Sequence, residues 1–492
     1  MKRVLTIILC ILLTLCSCEG AVPTESENIV GAYSDMANED EKKKEQTITD
    51  ITMLYYPDMD VNPVTTTCLA NHELLKLVYS PLIRVSADFK PKTVLAEGFT
   101  QNGSTVTVTL KSGILFSDGT AVNANDVVKT FGAVKKAPSS PYYGALQKLK
   151  KFYASDASTV VFIFDETDVD CVNLLDIPIM KGGKTGIGCG PYVLGEENGK
   201  PALLPNDKYF EKASVKVIHL AETKNDGYID DMFSSGALDV MISDTTDDLA
   251  LTSLRDYQIL SCPSNRFIFI GVNFHDPVLA DINVRRAISV AIDRQSIASQ
   301  SLVDLATPTE HPFNPEWSKA KNIALTERTE KMILGARKTL EGVPLTLTLP
   351  TGGFKKTVAD ELVASFKAAG ITLNLRELDS EAYYAAVAAG DYQLYLGEIA
   401  VSRNMDPTAL YKTGGALNFS GYSDYDLDQA FIKYKSGDMA LTEYIAAFSE
   451  RLPVIPVLYS KSVIYCAKGI KSFSDRSAFA VYGNGAGLTL KK

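Results

Sequence analysis

Residues that commonly carry out catalysis or bind metals are scarce in this sequence. Its 492 residues include only four histidines, which lie far apart, and eight cysteines with no CxxC pair. Zinc ligands usually occur at short, regular spacings, and no such spacing is present. The nucleophile motif GxSxG is absent as well. We therefore expect no catalytic residue, no metal site and no cofactor.

Positive charge is not in excess either. The chain has 49 Lys and Arg against 59 Asp and Glu, a net charge of -10, and it shows no basic stripe. A nucleic-acid backbone is neutralised by clustered Lys and Arg, so we expect no nucleic-acid partner. A hydrophobic content of 46% and a charged content of 22% are typical of a soluble globular protein. The length fits two or three domains.

Three segments resemble metal or phosphate motifs, and each lacks a required residue. His72 and Glu73 begin an HExxH zinc motif, but Lys76 occupies the second histidine position. The segment favours an ordinary surface helix. Residues 182–185 and 186–190 resemble phosphate-binding and dinucleotide loops, with Pro178 and Pro191 in place of required glycines. Such loops aim backbone N–H groups at phosphate before a helix, so both segments favour a flexible loop instead.

The N-terminus has the pattern of an export signal. Lys2 and Arg3 precede an apolar run, residues 4–15, that is too short to span a bilayer comfortably. The Leu-Cys-Ser-Cys of residues 15–18 resembles a bacterial lipobox, in which the last cysteine, here Cys18, is lipidated. A plain secretory signal is the alternative. We predict a lipoprotein signal peptide over residues 1–18 and a disordered tether over the polar residues 19–46.

Five cysteines follow Cys18, and an odd number cannot all pair within one chain. They are Cys68, Cys171, Cys189, Cys262 and Cys466. Buried free thiols are favoured, although a Cys171–Cys189 bridge stays open in an oxidising compartment.

Hydrophobic periodicity predicts alternating strands and helices in both halves of the chain. Asn123 and Asp126 form a capping box that opens a helix. Strands are predicted at residues 51–55, 106–110, 160–164, 215–220, 238–242, 345–349, 371–375 and 392–396. Helices are predicted at residues 124–135, 226–234, 355–369 and 381–389. Strand–helix alternation indicates parallel sheets, which present ligands at the carboxyl ends of their strands. We therefore expect residues 243–244 and 398–400 on opposite walls of one cleft.

A set of segments resembles the peptide/nickel type of ABC solute-binding proteins, family 5. One such motif would be weak, but these follow in the family's order from about residue 50 to residue 475. They are residues 77–82, 91–97, 110–119, 123–127, 190–192, 273, 281–294, 406–407, 421–423 and 452–456. Within them, Arg285 and Arg286 are expected to pair with acids and hold a helix.

The resemblance implies an α/β fold of the type II periplasmic-binding-protein kind, with two lobes, an inserted extra domain and a central cleft. The discontinuous lobe I would comprise residues 47–72, 188–268 and 467–492. The inserted domain would comprise residues 73–187 and lobe II residues 269–466. The hinge between the lobes would include Gly190, Pro191, Tyr192 and Asn273.

The function implied by the resemblance is that of an extracytoplasmic receptor of an ABC importer. Such a receptor captures a peptide or similar small solute between its lobes and delivers it to the permease subunits in the membrane. We expect a monomer, anchored by lipid to the bacterial cell membrane. The alternatives are a ligand-sensing lipoprotein of a signalling system and, less favoured, an extracellular hydrolase. Nickel is a weaker ligand candidate because no histidine cluster supports it.

The ligand site contains one departure from the family pattern. Peptide-binding relatives carry an acid four residues before the proline of the motif Asp406-Pro407, and that acid holds the peptide's ammonium group. Here the position is Arg403, which favours an anionic or hydrogen-bond-accepting ligand group. Asp406 or Glu398 is an alternative ammonium partner, or a partner of Arg403 itself, and a shifted loop register is a further alternative. The remaining candidate contacts are Asn404, Tyr55, Tyr56, Trp317, Tyr384 and Tyr422.

The lipobox generates a direct test. Cys18→Ala removes the thiol that the predicted lipobox assigns to acylation, so we expect unprocessed precursor or protein released from membranes. Fractionation of cells followed by immunoblotting measures both. A mutant that is processed normally and stays with the membrane contradicts the anchor assignment.

Overall fold

The computed structural model describes residues 49–224, 226–243, 257–483 and 488–490. The predicted signal peptide, the predicted tether and Asp244 lie outside these residues. No helix within the described ranges is both long enough and apolar enough to cross a membrane.

The elements are numbered here in chain order. The strands are β1 Asp50–Tyr55, β2 Ile83–Val85, β3 Pro91–Thr93, β4 Ala96–Asn102, β5 Thr105–Leu110, β6 Leu149–Ala154, β7 Thr159–Phe164, β8 Tyr192–Glu197, β9 Lys200–Pro205, β10 Val217–Glu222, β11 Val240–Ser243, β12 Tyr257–Val272, β13 Ala306–Pro308, β14 Leu345–Pro350, β15 Leu373–Leu378, β16 Leu394–Ala400, β17 Val454–Ala467, β18 Ile470–Phe473 and β19 Leu488–Leu490. The α-helices are α1 Leu69–Val78, α2 Ala124–Lys135, α3 Tyr143–Gln147, α4 Ile229–Ser234, α5 Pro277–Ala280, α6 Ile282–Ala291, α7 Arg294–Ser296, α8 Glu330–Thr339, α9 Gly353–Ala368, α10 Ser380–Ala389, α11 Tyr425–Ser436 and α12 Leu441–Arg451.

A mixed sheet of 11 strands runs through the molecule. Its order is β15-β14-β16-β12-β17-β11-β1-β10-β9-β8, with β13 paired to β17 off this path. The long strands β12 and β17 lie at its centre and pair antiparallel, from Tyr257 opposite Ala467 to Gly271 opposite Val454. β11 pairs with the carboxyl half of β17, and β16 pairs with the carboxyl half of β12. The central pair therefore joins two groups of parallel strands into one continuous sheet.

The two parallel groups agree with the predicted strand–helix alternation. β14 runs parallel to both β15 and β16, and β1 runs parallel to both β10 and β11. α9 and α10 connect the strands of the first group, and buried side chains of α9 cover them. α10 ends at Gly390, whose φ of 72° is in the left-handed region that closes many helices.

The register brings the carboxyl ends of the two groups towards each other. β11 ends at Ser243, which lies opposite Val463 of β17. β16 ends at Ala400, which lies opposite Arg266 of β12. Val463 in turn pairs with Ser261, so a short stretch of β12 separates the two edges. The register of β12 shifts within this stretch, between Pro263 and Phe267.

A separate four-stranded antiparallel sheet, ordered β4-β5-β7-β6, packs against α2. The predicted capping box at the start of α2 is present. The Asn123 side chain accepts a hydrogen bond from the backbone of Asn125, and Asp126 accepts one from the backbone N–H of Asn123. Both bonds satisfy N–H groups that the helix leaves unpaired.

The expectation that Arg285 pairs with an acid is wrong. Its buried guanidinium donates instead to the backbone carbonyls of Leu279, Ala280, Arg451 and Leu452, at 2.7–3.1 Å. Arg286 likewise donates to a carbonyl, that of Glu450. Carbonyls at the carboxyl end of α12 lack partners within their own helix, and a planar five-donor group can satisfy several of them at once. The structural role expected of these arginines therefore holds with different partners.

All five cysteines within the described residues are free thiols. The Cys171–Cys189 bridge is therefore absent. Burial raises the pKa of Cys171 and of Cys189 to about 12, so both stay protonated and unreactive.

Candidate functional site

The facing carboxyl edges of the two parallel groups define the candidate cleft. One edge carries Tyr55 at the end of β1, and the other carries Glu398 near the end of β16. A third wall comes from residues 73–187 and from the C-terminal segment after β18, which meet the loop that follows β16. In open α/β sheets, ligands bind in the crevice outside the carboxyl ends of the strands, so polar side chains at these strand ends are placed to meet a ligand.

Arg403 lies in this loop, between two aromatic rings. Its guanidinium carbon is 4.8 Å from the ring centre of Tyr142 and 4.6 Å from that of Phe479. Its Nε is buried and has no hydrogen-bond partner among the described residues. The nearest carboxylate oxygen, on Asp176, is 3.9 Å away. Neither Asp406 nor Glu398 pairs with Arg403, since each has another cation as its partner.

The helix α1 beside Arg403 is not the surface helix expected from its sequence. Glu73 and Lys76 are only 4% and 7% exposed, and they form an ion pair one turn apart. Glu73 also accepts a hydrogen bond of 2.8 Å from the backbone of Val481. The ring of His72 is 2.9 Å from the hydroxyl of Tyr142. Chiefly because it is buried, the pKa of His72 falls to about 4, so this histidine is neutral at pH 7.

The charges around Arg403 do not balance. Lys76, Arg84 and Arg403 are cations, whereas Glu73 and Asp176 are the carboxylates that act on them. Arg84 is 4% exposed, and one of its terminal nitrogens is buried without a hydrogen-bond partner in the described chain. Burial raises the pKa of Asp176, although the three cations oppose this shift. Counted over the described residues, the region therefore has spare donors and an excess of positive charge.

A second buried network joins residues 168–170 to α11, to Lys319 and to the loop that follows β16. Lys435 of α11 lies 3.0 Å from Asp168 and 3.2 Å from Asp170. Lys319 forms a further ion pair with Asp170, at 2.6 Å. The side chain of Asn404 donates to Asp168 at 2.6 Å and is 1% exposed. Asn404 therefore stabilises this network, and its side chain does not reach the solvent.

Asp406 and Glu398 differ in how fully their oxygens are used. Asp406 pairs with Lys148 and accepts two bonds from Thr408, at 3.0 and 2.6 Å. Burial alone would raise the pKa of Asp406, but Lys148 and Thr408 lower it to about 2. One oxygen of Glu398 accepts from Arg266 at 2.7 Å, and the other is buried without a donor in the part of the chain that the structure describes.

The candidate aromatic residues occupy very different environments. Tyr384 is 63% exposed on α10, and Tyr55 and Tyr56 are half-buried at the end of β1. Trp317 is 1% exposed and packs against Phe313, with ring centres 5.6 Å apart. Tyr422 is 9% exposed, and its ring lies 4.8 Å from that of Phe274. Tyr384 and the Tyr55–Tyr56 pair are the aromatic candidates with surface open to a ligand.

The candidate hinge residues are held by close backbone contacts. Gly190 donates to the carbonyl of Val78 at 2.8 Å, and a Cβ at Gly190 would lie 2.5 Å from the carbonyl oxygen of Leu77. The end of the loop predicted to be flexible is therefore packed tightly on α1. Asn273 donates to the carbonyl of Tyr392 at 2.9 Å and so ties the end of β12 to the start of β16. Pro191 and Tyr192 lead directly into β8.

A cavity of about 540 Å³ lies elsewhere, next to α6 and α8, and is lined by charged side chains that include Arg286, Asp293 and Arg328. Neither Arg403 nor Glu398 lines it. We place the candidate site at the strand ends, because the spare donors and acceptors lie there.

Residues 90–420 match the family described as bacterial extracellular solute-binding proteins, family 5. The chain belongs to this family.

Family 5 relatives include proteins named for different ligands. The chain is 25% identical to the oligopeptide-binding protein AppA of Bacillus subtilis over 305 residues, which is 55% of each chain. It is 24% identical to the glutathione-binding protein GsiB of Salmonella typhi over 268 residues, 50% of this chain and 52% of that protein. It is 22% identical to the nickel-binding protein NikA of Staphylococcus aureus over 424 residues, 80% of this chain and 85% of that protein. The first two alignments thus span about half the length of the relative.

Solved structures show the family 5 fold over nearly the whole chain. The murein tripeptide-binding protein MppA, in its unliganded open form, aligns with a TM-score of 0.74 and 18% identity, covering 90% of this chain and 98% of MppA. AppA of Bacillus subtilis in complex with a nonapeptide aligns with a TM-score of 0.61 and 20% identity, covering 91% of this chain and all of AppA. The chain therefore has the type II periplasmic-binding-protein fold expected from its sequence.

The network around Lys435 yields a stability prediction. Lys435→Met would remove a buried cation from beside Asp168 and Asp170. We expect it to lower the free energy of unfolding by about 3–5 kcal/mol. Lys433→Met on the exposed face of the same helix is the matched control and should change stability by less than about 0.5 kcal/mol. Calorimetric unfolding at pH 7 measures both variants. Equal melting profiles for the two variants would show that the network contributes nothing.

Proposed function

We propose that the protein is an extracytoplasmic receptor of an ABC importer and that it binds a peptide or similar small solute. The observation that carries the proposal is the match to the solute-binding family over residues 90–420. The geometry supports it, because two carboxyl edges of parallel strands face each other across the middle of β12. That arrangement leaves backbone and side-chain polar groups on both sides of a cleft.

The proposed binding cycle is a closure of two lobes. Lobe I would comprise residues 47–72, 188–268 and 467–492, lobe II residues 269–466, and the inserted domain residues 73–187. With these bounds, β12 passes from lobe I into lobe II, and β17 reaches lobe I at Ala467. We therefore place the bending along these two strands and at Gly190–Tyr192 and Asn273. A ligand that contacts both lobes binds the closed state more tightly and shifts the population towards it. The permease subunits would recognise the closed form.

The proposed setting is the outer face of a bacterial cell membrane. Lipidation at Cys18 and a tether over residues 19–46 would hold a monomer near its permease. More than one acyl chain on the cysteine would provide stable anchoring.

Within this function, Arg403 is the proposed contact for an anionic ligand group. Its Nε has no hydrogen-bond partner among the residues that the structure describes, and its carboxylate neighbour Asp176 is 3.9 Å away, beyond hydrogen-bond distance. The rings of Tyr142 and Phe479 hold the guanidinium in place, so little side-chain entropy is lost on binding. A free ammonium at this position would meet the positive excess of Lys76, Arg84 and Arg403. The ammonium group of a bound peptide therefore needs an acidic partner at a position away from Arg403.

The function is tested with the solute that the protein itself retains. Mass spectrometry of the denatured, purified protein identifies that solute. Added back at about 100 times its Kd, it should stabilise the protein by about 2.7 kcal/mol and reduce the radius of gyration in small-angle scattering. An identified solute that produces neither effect contradicts lobe closure. Absence of any bound solute, together with no response to peptide libraries, contradicts the receptor function.

The same solute tests Arg403 by calorimetry. Arg403→Ala should weaken binding by about 2–5 kcal/mol, which is roughly 30-fold to several thousand-fold. Arg376→Ala, which removes an exposed arginine paired with Asp391, is the matched control and should leave Kd unchanged. Wild-type affinity in Arg403→Ala removes this residue from the site. A gain of affinity for free-amine peptides in Arg403→Asp would show that the position contacts the ligand's amino end.

A further inference from the structure

A second polar feature lies at the carboxyl edge of β14, β15 and β16, on the lobe II wall of the proposed cleft. Glu398 of β16 has a side chain that is 7% exposed, and one of its oxygens accepts from Arg266 at 2.7 Å. Its other oxygen is buried and has no donor within the described ranges. A buried carboxylate oxygen without a donor is costly, and nearly all such atoms in folded proteins have a partner. Among the described residues, this oxygen is therefore an acceptor that remains open to a donor on a ligand.

The N-terminus of α9 lies at the same edge, directly after β14. This helix has 16 residues, and no side chain caps its start at Gly352. Its first turn contains no acidic residue. Gly352 and Gly353 have φ values of 71° and 65°, which only glycine adopts easily, and they turn the chain from strand into helix. The first backbone N–H groups of a helix lack internal partners and carry a partial positive charge.

Lys355, in the first turn of α9, connects these two features. Its ammonium lies 5.7 Å from the ring centre of Tyr383 and forms no ion pair with any described residue. The hydroxyl of Tyr383 donates to the carbonyl of Leu396 at 2.7 Å, which fixes the ring beside β16. Burial lowers the pKa of Lys355, and the nearby charge of Glu398 opposes that shift. Lys355 and Glu398 therefore face the same space, and Tyr384 stands exposed beside it.

We infer that this edge is a subsite for a ligand carboxylate that carries an N–H donor on the neighbouring carbon. The carboxylate would bind Lys355 and the free N–H groups of α9, and the N–H would donate to the unpartnered oxygen of Glu398. Arg266 and Lys355 are two cations and Glu398 is one carboxylate, so these three side chains carry one net positive charge. That charge favours a ligand carboxylate with its N–H over an isolated ammonium. The subsite deepens the proposed function and rests on it, since it names the ligand's chemical class.

Three molecules contain or lack this chemistry and serve as probes. N-acetylglycine has the carboxylate and an amide N–H, as at the carboxyl end of a peptide. Glycine has the carboxylate and an ammonium, as in a free amino acid. N-acetylglycinamide has the N–H without the carboxylate. Saturation-transfer NMR titration of each probe with the purified protein measures Kd for such small, weak ligands. We expect N-acetylglycine or glycine to bind, and the tighter of the two identifies the ligand's source.

Two variants locate the binding, and a neighbour provides the control. Lys355→Met removes the cation. Glu398→Gln replaces the carboxylate, which has two acceptor oxygens, with an amide, which has one acceptor oxygen. Each should weaken the bound probe by roughly 10-fold or more, as expected for a lost hydrogen bond to a charged group. Lys356→Met removes the adjacent cation, which pairs with Asp360, and should leave Kd unchanged. Thermal unfolding checks that all three variants are folded.

Several results would overturn the subsite. The first is that N-acetylglycinamide and N-acetylglycine bind with equal Kd. The second is that Kd is unchanged in both Lys355→Met and Glu398→Gln. The third is that neither carboxylate probe binds. A protein that retains and responds to its own solute but gives one of these results has the receptor function without this subsite. A protein that binds no solute of any kind fails at the level of the function itself.

Discussion

The pairing of β12 with β17 is the constraint on which the rest of the structure depends. Within the described ranges, the 11-stranded sheet passes from one parallel group to the other through these two strands, since β16 bonds to β12 and β11 bonds to β17. Their antiparallel pairing sets the direction of both groups. Because β11 runs with β12 and β16 runs against it, the two groups point their carboxyl ends at each other. A cleft between polar strand ends is thus a result of strand direction, whatever the side chains are.

Several ion pairs connect residues 73–187 to residues 269–466. Asp168 and Asp170 meet Lys319 and Lys435, and Lys148 meets Asp406. A buried ion pair repays its desolvation cost only when its geometry is good, so such contacts select one relative placement more than they add stability. An apolar contact would tolerate sliding. These ion pairs therefore favour one defined relative position of the two ranges.

Much of the fold could be predicted from the sequence, because periodicity and capping are local signals. The alternation at residues 345–396 was sufficient to predict a parallel strand–helix unit. The capping box formed by Asn123 and Asp126 was sufficient to predict where α2 begins. The polar partnerships could not be predicted, because they join residues far apart in sequence. Arg285 satisfies backbone carbonyls that no sequence pattern marks. Glu73 and Lys76 have the spacing of an exposed helical pair, and only the tertiary fold buries them. The tandem acids of residues 168–170 beside an apolar segment were the one available signal for the Lys435 network.

The central strand pair also sets the order in which the chain can fold. Tyr257 has its partner in Ala467, close to the C-terminal end of the described chain, and Gly271 has its partner in Val454. Contacts between residues so distant in sequence form slowly, because a long loop must close before they contribute. During synthesis, β12 remains unpaired with β17 until residues 454–467 have emerged, and the sheet cannot be completed earlier. This delay prolongs the time that the polypeptide spends without its complete sheet, in the unfolded form that passes most easily through a narrow membrane pore.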